Sequence, residues 1–101
     1  MFRSSLEKSL IEKKLTALSR ELQTLRNELG VVEEQLIQVA DEAESSRLRS
    51  LVSETPQAVH EEREAAKAVA AVRRDRDAKL KRLEKLERKQ DDLLDRLTEA
   101  R

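Results

Sequence analysis

Cysteine is absent from this 101-residue chain, glycine and proline occur once each, and Phe2 is its one aromatic residue. Without cysteine there is no disulfide framework, no thiolate metal site and no cysteine nucleophile. With almost no aromatic bulk and almost no Gly or Pro to punctuate turns, a compact globular core is excluded as well. Charge of a single sign is also lacking: 21 Lys and Arg balance 21 Asp and Glu, so no global field draws the chain to nucleic acid or an anionic membrane. No apolar run approaches the roughly 18 residues needed to span a bilayer. Charges break up Met1 to Lys14 too soon for a secretory segment. The expectation is a soluble, cytoplasmic protein without membrane association.

What is present is charge and helix-forming bulk. Charged residues make up 42% of the chain and apolar residues 38%, dominated by Ala, Glu, Lys, Leu and Arg, the composition of long helices and coiled coils. In the first half, apolar residues recur at alternating steps of four and three: Ile11, Leu15, Leu18, Leu22, Leu25, Leu29, Val32, Leu36, Val39 and Ala43. This spacing is the seam of a coiled coil. Gly30 lies beside it and weakens the helix by roughly 1 kcal/mol without displacing it. A thinner seam runs through Ala58, Glu62, Ala65, Val69, Val72, Arg76, Lys79, Leu83, Leu86, Gln90, Leu93, Leu97 and Ala100, nine of these thirteen being apolar.

Between the seams lies Ser53-Glu54-Thr55-Pro56. Proline cannot continue a helix but suits its first position, the residue before it is pushed from helical angles, and Thr55 can cap the second helix. Folding back here pairs the seams symmetrically about residue 54, Ile11 with Leu97, Leu22 with Leu86, Leu36 with Val72 and Ala43 with Ala65. The predicted fold is all-α, one antiparallel two-helix coiled-coil hairpin over residues 1–101, with arms near 4–52 and 56–100 and a turn near 53–56. Flanking pairs expected from this register are Glu21 with Lys89, Glu28 with Arg82 and Glu33 with Arg73, against one repulsive pair, Lys14 with Arg96. Off the seam, Ala17, Val31, Ile37 and Ala40 on the first arm and Ala66, Ala70, Leu80 and Leu94 on the second could cover a second hairpin. The expected assembly is therefore a homodimer, a four-helix arrangement.

Chemistry-bearing patterns are sparse. His60, the single histidine, has Glu64 one turn further on, but a transition-metal site generally needs at least three protein ligands, and no third is spaced for it. Glu61 and Glu62 have no apolar pocket to separate their acidities, and neither a phosphate loop nor a nucleophile constellation is present. No enzymatic activity, cofactor or metal is expected.

Charge is segregated instead. Between Asp41 and Glu64, seven acids (Asp41, Glu42, Glu44, Glu54, Glu61, Glu62 and Glu64) face three bases, a net charge of −4 around the turn. From Lys67 to Lys89 ten bases face four acids, with Arg73, Arg74, Arg76, Lys79, Lys81 and Arg82 forming a basic stripe. Such charges can simply solvate a helix pair, or they can dock a partner. Without aromatics for base stacking, nucleic acid is not the expected ligand. The expected function is that of a small non-enzymatic adaptor or regulatory protein, binding a protein partner through its acidic tip and exposed helix faces. In shape and charge, Asp41 to Glu64 resembles the acidic-tipped hairpins that transcription factors of the Gre and DksA type insert into bacterial RNA polymerase. That resemblance implies a transcription regulator binding the polymerase. A passive structural or oligomerisation module is the remaining alternative.

Overall fold

The computed structural model describes residues 2–100, with side chains described from Ser5 onward. Met1 and Arg101 of the expected 1–101 hairpin lie outside the described residues. Two helices, α1 (Phe2–Ser53) and α2 (Pro56–Glu99), pack against each other as an antiparallel hairpin. The arms expected at 4–52 and 56–100 thus match the observed helices to within two residues.

Two residues reverse the chain, and each end is chemically closed. The Glu54 amide donates to the Ser50 carbonyl at 3.0 Å, completing the last turn of α1. Glu54 then adopts a left-handed φ of 49°, the conformation that ends many helices and that glycine adopts with least strain. Thr55 caps α2 as its sequence position implies: its Oγ1 accepts from the Ala58 amide at 3.1 Å, while its carbonyl accepts from the Val59 amide. Pro56 occupies the first helical position, where its missing N–H costs no helical bond.

Contacts divide the chain into two units. The terminal unit comprises α1 through Glu28 and α2 from Lys79 onward. Its core is leucine-rich: Ile11, Leu18, Leu22, Leu25, Leu86 and Leu93 are buried, with Leu15, Leu83 and Leu97 packed against them. Ile11 and Leu22 are fully enclosed. Burying one such side chain is worth about 1.5–3 kcal/mol, so this cluster dominates the unit's stability.

The turn unit spans Leu29–Ala78. Leu29, Val32, Ala58 and the polar Ser46 are buried there, but Leu36, Val39, Ala43, Ala65, Val69 and Val72 are only half-buried. Small side chains leave the seam partly open to water. Every seam position read from the sequence, including Glu62, Arg76, Lys79 and Gln90, is buried or half-buried. Gly30 continues α1 without positive φ, and a Cβ there would meet open space. Among the described residues, no helix is long and apolar enough to cross a membrane.

Candidate interaction surface of the turn unit

The acidic residues expected to mark the turn all belong to the turn unit, but their charges are not equally available. Glu44 holds Arg47 through two hydrogen bonds, Nη2 to Oε1 at 2.7 Å and Nε to Oε2 at 3.2 Å. These bonds and the adjoining positive charge hold the Glu44 carboxyl below the usual carboxylate range, and raise the Arg47 guanidinium in turn. Glu64 pairs with Lys67 at 3.1 Å, and Glu61 accepts from Gln57 Nε2 at 3.2 Å. Glu62 sits half-buried at the seam, where its charge also favours the charged form of Arg47. Asp41, Glu42 and Glu54 are exposed and form no ion pair among the described residues.

The residues of the basic stripe fall in both units and differ in exposure and pairing. Arg73, Arg74 and Arg76 belong to the turn unit, whereas Lys79, Lys81 and Arg82 belong to the terminal unit. Arg76 is half-buried and turned onto its neighbour Asp77, with Nε and Nη2 at 3.1 and 3.0 Å from Oδ1. Lys79 is likewise half-buried and engaged. Arg82 is bound to Glu21 at 2.6 Å. Arg73, Arg74 and Lys81 remain exposed and without an ion pair among the described residues.

The flanking pairs depart from the sequence-derived scheme in a consistent way. In the terminal unit the cross-helix pairs are Arg82 with Glu21 and, at 3.8 Å, Arg26 with Glu87. They bracket the layers that hold Leu22, Leu25, Leu83 and Leu86, so the register stands while the partners change. Glu28 borders the same hollow as Arg82 and Glu21, yet the long forked guanidinium closes on Glu21. Glu21, expected beside Lys89, is thereby taken. Lys14 and Arg96 do border a common hollow, which the acidic Glu21 and Asp92 also line. Glu33 and Arg73 form no ion pair among the described residues, and the turn unit's ion pairs join neighbours within one helix instead.

The most informative feature was not singled out from the sequence. In the last turns of α1 the seam positions are Ser46 and Ser50, buried and half-buried, while Leu48, Leu51 and Val52 face solvent at 50%, 63% and 85% exposure. The helix is inverted there, with small polar groups against α2 and large apolar groups outside. Ser46 is satisfied, its Oγ accepting from Arg49 Nη2 at 3.1 Å. The i, i+3, i+4 spacing of Leu48, Leu51 and Val52 was the available signal, since it places all three on one helical face. Among the off-seam residues expected to be open, Val31, Ile37, Leu80 and Leu94 are exposed, whereas Ala40 and Ala70 are half-buried.

His60 is exposed, and Glu64 is committed to Lys67. Among the described residues, no group of three or more His, Asp or Glu side chains is placed to hold a metal ion. No protein-family model, curated protein or solved structure matches the chain.

Proposed function

We propose that this chain is a non-enzymatic protein-interaction module, of adaptor or regulatory type, whose turn unit docks onto a partner protein. The observation that carries this reading is the solvent-facing Leu48, Leu51 and Val52 beside the exposed Glu54. These large side chains contribute nothing to the hairpin seam, which is closed at the same level by Ser46 and Ser50. Contiguous exposed apolar groups with a polar surround are characteristic of contact surfaces. Glu54 adds to this, since a non-glycine residue in a left-handed conformation costs stability and such outliers concentrate at functional positions.

An interaction resting on acidity alone, as in a polymerase-inserting hairpin, has less support. Glu44, Glu61 and Glu64 already have partners on their own helices. A second reading is favoured by Ile37, which is 64% exposed on the same unit. It would become buried if a second hairpin packed alongside to form a homodimer.

The test is affinity capture of the full chain from its native host, followed by mass spectrometry, compared with the Val52→Ser, Glu54→Lys double variant. A stoichiometric foreign protein that is depleted with the double variant supports the reading. Recovery of no stoichiometric partner would remove it.

A further inference from the structure

We infer that Leu48, Leu51 and Val52 form the apolar anchor of the docking surface, and that its occupant is a protein groove with an apolar floor and a Lys/Arg rim. This inference rests on the interaction reading above and specifies its chemistry. The three side chains lie within one and a half turns of a single helix face, all at least half exposed. They are rigidly carried, because α1 is continuous through them and is closed by the Glu54 amide bond to Ser50. Aliphatic anchors presented by a helix at i, i+3 and i+4 are what an apolar groove reads.

Charge decides which groove. The segment 41–64 carries a net charge of −4, and Asp41, Glu42 and Glu54 are exposed without ion pairs among the described residues. Of the two exposed cations flanking Leu48, Arg47 is offset by Glu44, and Arg49, which donates to Ser46, is outnumbered by Asp41, Glu42 and Glu54. An approaching surface therefore meets an aliphatic patch in a negative surround. An anionic bilayer would be repelled by it. A second copy presenting the same patch would bring like charges together, whereas a basic-rimmed groove is both steered and held.

The experiment places the photo-crosslinker p-benzoylphenylalanine in the full chain at Val52, at Ile37 or at Leu94, one position per variant, expressed in the native host. Mass spectrometry then identifies the crosslinked peptide. The Val52 position is expected to crosslink to a foreign protein, within an apolar segment flanked by Lys or Arg. Leu48→Ser with Leu51→Ser should lower that yield about tenfold or more, the loss typical of central anchors. Both substitutions are at exposed positions, so unchanged circular dichroism is expected and separates lost docking from lost folding. A crosslink from Val52 to phospholipid, to a second copy, or to an acidic or uncharged segment would overturn the inference. So would an unchanged yield in the double serine variant. Foreign crosslinks from Ile37 but none from Val52 would sink this inference while leaving the interaction reading in place, whereas foreign crosslinks from Leu94 alone would sink both. Foreign crosslinks from none of the three would sink both.

Discussion

The terminal and turn units are built from the same two helices and the same seven-residue rhythm, yet they use their side chains differently. In the terminal unit leucine fills the seam and ion pairs cross between the helices. In the turn unit Leu29 and Leu36 give way to Ala, Val and Ser toward the bend, and ion pairs stay within one helix. Large aliphatic groups face outward in both units, but only in the turn unit do they stand opposite a seam of serines. The difference teaches that one pattern of apolar positions can specify a fold while side-chain volume at those positions sets where stability resides. A seam of small residues closes the helices adequately and leaves bulk available for other contacts.

The comparison breaks most readily at the seam. Leu22 is fully buried, so Leu22→Ala should cost roughly 2–5 kcal/mol, whereas Val69→Ala, at a half-open position, should cost about 1 kcal/mol. Urea unfolding followed by circular dichroism measures both, and equal costs would erase the proposed asymmetry. Next in size is the cap: Thr55→Ala removes the acceptor for the Ala58 amide and should lower stability by about 1 kcal/mol in the same assay. In the opposite direction, Gly30→Ala meets open space in a helical conformation and should raise stability by roughly 0.5–1 kcal/mol. A destabilising alanine there would mean that the turn unit packs more tightly than its exposure indicates.

Smaller effects sharpen the electrostatic contrast. Arg82→Gln loses one half-exposed cross-helix pair and should cost no more than about 0.5 kcal/mol, a difference that should shrink in molar salt. Glu44 offers a pH test. Its carboxyl is held below the ordinary value by Arg47, so the contribution of the pair is present above the unfolded carboxylate pKa and is lost as pH falls through the folded one. An NMR titration should place the Glu44 midpoint below those of unpaired glutamates, and Arg47→Gln should return it to their range.

The seam and the turn were legible in the sequence because both depend on local rules. A four-three repeat puts residues on one face wherever the helix runs, and Thr55-Pro56 can start a helix but not continue one. Ion-pair partners were less legible. Arg82 lies within reach of two glutamates, and register alone does not say which one a long guanidinium side chain will take. The outward patch was obscured for a different reason. Reading along the heptad past Ala43 leads to Ser46 and Ser50, and leucines beside polar seam positions register as noise unless the inverse face is examined too. For the acidic residues, composition counted seven charges, but helical spacing had already matched Glu44 with Arg47 and Glu64 with Lys67.

The connection of only Glu54 and Thr55 between the helices has a consequence for how the chain finds its structure. Residues next to the reversal meet after closing a very short loop, at small entropic cost, so even alanine and serine suffice to hold them. Leu22 and Leu86 are separated by about sixty residues of chain, and nearness along the backbone does little to bring them together. Leucine at those distant positions supplies in adhesion what the geometry of the bend supplies without it close by.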